Sequence, residues 1–139
     1  MTIKNKILLN YIKDLSVETP DPESLIAARE NISKYSLKLN LNSKILKNKM
    51  IEVYTNLAYE DKINKKKTYF EMTYATVVRI EEEKPNPEKI KKFILCDLQN
   101  QIYPQIQKTF LEILKLSGFS DLQLKSNIDF NKLYNEKKN

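Results

Sequence analysis

The chain of 139 residues has no histidine and no tryptophan, one cysteine and one glycine. Without histidine there is no Ser-His or Cys-His nucleophile pair and no ordinary zinc site, and Cys96 alone cannot supply the missing ligands. A lone cysteine also excludes an intrachain disulfide, and its expected state is a small buried apolar side chain. Gly118, the sole glycine, leaves no glycine-rich phosphate loop and no dinucleotide fingerprint. Carboxylates are scattered, with no pair set in an apolar stretch as general acid-base work requires. The expectation is therefore a non-enzyme, with no catalytic residue, no metal and no cofactor. No apolar run approaches the ~20 residues of a membrane span, and no signal-peptide pattern opens the chain. A cytoplasmic protein without membrane insertion is expected.

Arginine is scarce as well. Of the 24 basic residues only Arg29 and Arg79 are arginines, although the formal net charge is +6. Arginine's planar fork is the usual instrument of phosphate and base recognition, so a lysine-rich excess reads mainly as solvated surface. No specific nucleic acid is expected as a partner. What the chain does have is 41% hydrophobic and 30% charged residues, which suits a globular fold of one domain.

The first half alternates with period two, the signature of half-buried strands. Tyr11, Leu15 and Val17 fall on an expected core face, and Asp14, Ser16 and Glu18 on the opposite, acidic one, before Pro20 and Pro22 end the strand. A crossover with one short helical turn is expected over 22–32. Alternation resumes with Tyr35, Leu37, Leu39 and Leu41, and again with Ile51, Val53, Leu57 and Tyr59. The polar stretch 61–67 reads as a hairpin loop. A fourth strand follows, with Phe70, Met72, Tyr74, Thr76, Val78 and Ile80 on one side and Tyr69, Glu71, Thr73, Ala75, Val77 and Arg79 on the other. Its two rather apolar sides suit a central strand, or one whose second face meets a partner. Short connections imply an antiparallel sheet.

The second half changes period. Asn86 and Pro87 supply an N-cap and a proline at the first helical position. Leu98, Ile102, Ile106, Phe110 and Leu114 then recur at helical spacing, with Pro104 either kinking the helix or starting a second one. Gly118 is placed to end it in the left-handed region, and Asp129 to cap a short helix bearing Phe130, Leu133 and Tyr134. The expected fold is α+β: a four-stranded antiparallel sheet, a long helix and a short C-terminal helix, in one domain over 1–139 with 1–7 and 136–139 frayed.

Several segments resemble the SecB family of protein-export chaperones. Residues 11–20, Tyr-Ile-Lys-Asp-Leu-Ser-Val-Glu-Thr-Pro, are similar to its opening strand, Tyr69-Phe70-Glu71-Met72 to part of its fourth strand, and Ile102-Tyr103-Pro104-Gln105 to its aliphatic-aromatic-Pro step. Gly118-Phe119 and Asn127–Tyr134 resemble its closing segment. The resemblance implies a homotetramer, a dimer of dimers, that holds unfolded precursor proteins and hands them to the SecA translocation ATPase. It carries SecA contacts onto Asp14, Glu18, Tyr69 and Glu71. Client contacts are expected at exposed apolar positions on or beside the sheet and crossover: Leu25, Ile26, Met50, Tyr54 and Val77. Two features depart from the family: the chain is basic where the family is acidic, and Ala75 and Thr76 stand where it tends to place glycines. The alternatives are a SecB-like chaperone dedicated to an antitoxin or another client, a basic nucleic-acid-binding module, and a purely structural homo-oligomer.

Overall fold

The computed structural model describes residues 3–31, 35–61, 68–119 and 128–138. Four strands, β1 (Asn5–Glu18), β2 (Tyr35–Ile45), β3 (Met50–Asp61) and β4 (Tyr69–Ile80), form one antiparallel sheet in the order β1-β4-β3-β2. Helix α1 (Pro22–Glu30) lies in the crossover between the two edge strands. After the sheet come α2 (Pro87–Lys92), a π-helical turn (Phe93–Asp97), α3 (Leu98–Leu116) and α4 (Phe130–Lys138). Right-handed helical dihedrals at Lys92, Phe93, Asp97 and Leu98 make Pro87–Leu116 one continuous helix.

The sheet covers its odd-numbered β3 side with helix. Val53, Leu57, Phe70, Met72 and Val78 meet Phe93, Leu98, Ile106, Phe110 and Leu114, all with at most 1% of their surface exposed. Each such side chain contributes about 1.5–3 kcal/mol through burial. Edge-to-face pairs Phe70–Phe119 (5.2 Å) and Tyr103–Phe130 (5.3 Å) tie the helix ends into the same core. The i, i+4 stripe that starts at Leu98 is thus the inner face of α3, as its spacing predicts. Pro104 lies inside α3 and starts no new helix. Gly118 (φ +109°) follows the last turn, and the Phe119 N–H bonds back to the Leu114 carbonyl at 3.0 Å.

β4 is a central strand, which is why both of its faces are apolar. The chain differs from expectation at its two ends, in its crossover and in β1. Residues 3–7 are not frayed: Ile3 is 3% exposed, β1 pairs with β4 from Asn5 onward, and the Glu81 N–H bonds to the Lys4 carbonyl. At the other end, α4 continues to Lys138, through residues expected to fray. Secondly, α1 has nine residues, not a single turn, because the Asp21 carboxylate accepts from the Ser24 N–H (2.7 Å) and Pro22 opens the helix. Finally, β1 shifts register between Ile7 and Leu9 and between Ile12 and Asp14. A bulge adds one residue and inverts the alternation, so Tyr11, opposite Ala75, shares the open face with Asp14, Ser16 and Glu18. Leu15 and Val17 do face the helix side, opposite Met72 and Phe70, but remain 44% and 38% exposed. They are not core, since β1 is an edge strand. Apart from Asp61, which ends β3, the expected hairpin loop at 61–67 lies outside the described residues, as does Asn127.

Candidate functional site

Two surfaces stand out, one on each side of the sheet. On the helix side, edge strand β2 and the start of the long helix diverge. β2 keeps its odd-numbered side chains directed toward the helices, Leu37, Leu39 and Leu41 being half-buried, but Ile45 is 83% exposed. Opposite them, Asn86 accepts from the Glu88 N–H (2.8 Å) and launches a short α2 in which no residue is buried. Between the two walls lies a cleft of about 460 Å³ lined by Leu41, Asn42, Ser43, Ile45, Ile51, Pro87, Ile90, Lys91, Ile94 and Leu95. Leu41 and Leu95 also line a smaller recess of about 70 Å³ with Leu39, Leu133 and Tyr134. The two make one apolar groove beside β2, in which Lys91 is the only charged wall residue among the described residues. Such a surface binds mainly by area, with Ser43 and Lys91 as the reactive side chains among its described lining residues.

The other side of the sheet carries no helix among the described residues, and the cross-strand register fixes its pattern. Glu18 pairs with Tyr69, Ser16 with Glu71 and Asp14 with Thr73, so Asp14, Glu18 and Glu71 occupy adjoining positions on two neighbouring strands. The sequence-predicted residues Asp14, Glu18, Tyr69 and Glu71 are thereby brought together. The Tyr69 hydroxyl lies 3.4 Å from Ser16 Oγ within this patch. Beyond it, Tyr11 reaches over β4 so that its hydroxyl and that of Tyr54 both donate to the Glu52 carboxylate, which is 9% exposed. Those two hydrogen bonds hold the Glu52 carboxyl below the ordinary carboxylate range, and the bond to Glu52 pushes the Tyr11 phenol up. Lys13 lies 4.3 Å from the centre of the Tyr54 ring and bonds its hydroxyl at 3.1 Å.

The five residues expected to touch clients are not brought to one place. Met50, Tyr54 and Val77 are on the open face, with Val77 only 7% exposed and Tyr54 engaged by Glu52 and Lys13. Leu25 and Ile26 are on α1: Leu25 packs against Gly118 and the core, while Ile26 is 57% exposed. None of the five lines the groove. Of the residues that do, Leu39, Leu41, Ile90, Ile94, Leu133 and Tyr134 were visible in the sequence only as ordinary strand and helix periodicity, and Ile45 and Leu95 were not singled out. Cys96 is buried beneath the groove wall, donates to the Phe130 carbonyl (3.3 Å), and has its thiol pKa pushed up by that burial. Among the described residues no three acidic or cysteine side chains gather as a metal site, and no helix is long and apolar enough to cross a membrane.

The family model for SecB, preprotein translocase subunit SecB, matches residues 2–139. The chain belongs to the SecB family. It is 42% identical over 140 residues to the putative protein-export protein SecB of Pelagibacter ubique (strain HTCC1062), covering 100% of both chains. The protein-export protein SecB of Rickettsia bellii (strain OSU 85-389) is 31% identical over 129 residues, 91% of this chain and 83% of the relative. Among solved structures, a Mycobacterium tuberculosis SecB-like chaperone in complex with a ChAD peptide from the HigA1 antitoxin superposes with a TM-score of 0.68. That match covers 89% of this chain and 88% of the other at 11% identity, so it concerns the fold alone. The fold class and the resemblance read from the sequence thus hold, and the chain is a SecB-family protein-export chaperone.

Proposed function

We propose that this SecB-family chain is a holdase that retains unfolded precursor proteins in the groove beside β2 and presents them to SecA through the carboxylates of the open face. The observation that carries this reading is the apolar groove, open along a sheet edge. An unfolded client offers extended apolar segments, and a groove walled by leucine and isoleucine accepts many such segments through weak contacts. Ile26, exposed on α1, adds a further contact, whereas Leu25 is committed to packing under Gly118.

We assign SecA recognition to Asp14, Glu18 and Glu71 with Tyr69 beside them, a reading supported by their adjacency in the register. Self-association is placed on β1, a 14-residue edge strand that exposes Leu9, Ile12, Leu15 and Val17 by 38–50%. A long apolar edge of this kind is a template for pairing, and a second copy satisfies it. A dimer of dimers in the cytoplasm is the assembly expected. Size-exclusion chromatography with light scattering, run with and without an unfolded precursor, tests the reading. A tetramer that co-elutes with the precursor supports it, and a monomer that ignores the precursor refutes it. For the SecA patch, Asp14→Ala with Glu71→Ala should weaken SecA association while leaving the assembly intact; unchanged association overturns that assignment.

A further inference from the structure

We infer that the groove selects a particular class of client segment: extended stretches of about six or seven residues in which aliphatic or aromatic side chains alternate with carboxylates. This rests on the groove being the client site, and it adds the chemistry of the occupant. The length follows from the walls, because Leu39 to Ile45 spans six steps of an edge strand, about 20 Å at ~3.3 Å per residue. Alternation follows from the shape, since a cleft open on one side takes every second side chain of an extended chain and leaves the others at the rim.

The sign of the preferred charge follows from the rim. Lys91 is exposed, and among the described residues neither the cleft nor the recess includes a carboxylate. On the same short α2, Lys89 and Lys92 accompany it against a single acidic residue, Glu88. The whole chain adds a field of the same sign, with a formal charge of +6 that self-association multiplies. A segment bearing lysine or arginine between its apolar residues is repelled as it enters, and one bearing glutamate or aspartate is drawn in.

Three labelled heptapeptides with identical alternating leucine and phenylalanine, differing only in glutamate, glutamine or lysine at the intervening positions, test the inference by fluorescence anisotropy with the full-length chain. At low salt the expected order of affinity is glutamate, glutamine, lysine, with about a 3-fold step between each, collapsing toward equality as salt rises. Lys91→Glu should narrow or reverse the order, and Lys91→Gln should narrow it, with circular dichroism verifying that both variants are folded. Equal affinity of the three peptides, or an order indifferent to both Lys91 variants, overturns the charge selection. If that equal binding is lost in a folded Leu41→Asn variant, the groove stands as the client site without the selectivity. Failure of all three peptides to bind overturns the groove as the client site, and the selection with it.

Discussion

Gln99 and Thr55 join the long helix to the middle of the sheet, and each is completely buried. The Thr55 hydroxyl lies 3.2 Å from Gln99 Nε2 and 3.3 Å from Oε1, so it accepts from one and donates to the other. Removing either partner strands the other in an apolar layer, which costs about 1–3 kcal/mol, whereas replacing both with apolar groups of similar shape is nearly neutral. Thr55→Val and Gln99→Met should therefore each destabilise by about 1–3 kcal/mol, while the double variant should lose less than either single one. For 139 residues, 1 kcal/mol corresponds to roughly 3 °C, so each single change should lower Tm by about 3–10 °C. Urea unfolding and thermal melts at one fixed protein concentration read the cycle, so that any self-association contributes equally to every variant. Losses that simply add in the double variant would refute the pairing. Since Ile90, Ile94 and Leu95 are on the same continuous helix as Gln99, client retention should fall in the single variants and recover in the double.

Three further outcomes are expected. Ile45→Ser removes an apolar wall from the groove at a position 83% exposed, so client affinity should fall about tenfold with little change in Tm, as read by peptide anisotropy and melting. Glu52 has its folded pKa depressed by the Tyr11 and Tyr54 hydroxyls, so its stabilisation is fully present above the ordinary carboxylate range and is lost as pH falls through the lower folded value. The Tm advantage of the parent over Glu52→Gln should accordingly be constant near neutrality and shrink with acidification; an advantage that persists unchanged in acid would contradict this. Gly118→Ala forces a side chain to φ +109° and sets its Cβ 3.0 Å from Leu25 Cδ2. Leu25 can yield, but the backbone strain of about 1–3 kcal/mol remains, and an unaltered melt would show that the turn relaxes.

Much of the sheet was legible because β2, β3 and β4 keep strict alternation, and the doubly apolar β4 signalled its central position. The acidic patch was legible too, since Asp14, Ser16 and Glu18 all follow the extra residue in β1 and keep their parity. Tyr11 precedes it and was assigned to the wrong face. Nothing in the amino-acid pattern announces such a bulge, because one inserted residue looks like any other until the partner strand fixes the register. The groove was illegible for a different reason. Leu39, Leu41, Ile90 and Ile94 alternate as core residues do, and only the strand order, with β2 at the margin and α2 splayed from it, leaves part of that stripe uncovered.

The two margins of the sheet are finished differently, and this bears on which partner each can hold. On β1, Leu9 and Tyr11 emerge on one side, with Ile12, Leu15 and Val17 on the other, so its apolar surface lies on both faces of an edge. A flexible client can cover one face at a time, but a rigid copy that pairs along this edge can shelter the apolar side chains on both sides of it, with no further ordering entropy for its backbone. β2 shows the opposite pattern: leucines toward the helices, and Ser36, Lys38, Asn40, Asn42 and Lys44 on the open side. Lys38 there is tied to Glu60 at 2.8 Å. The charged and amide row keeps water on one side and discourages edge-to-edge stacking, while the groove on the other side stays open to a single extended chain. On the proposed reading, self-association therefore suits β1 and transient client binding suits β2, with neither surface competing with the other.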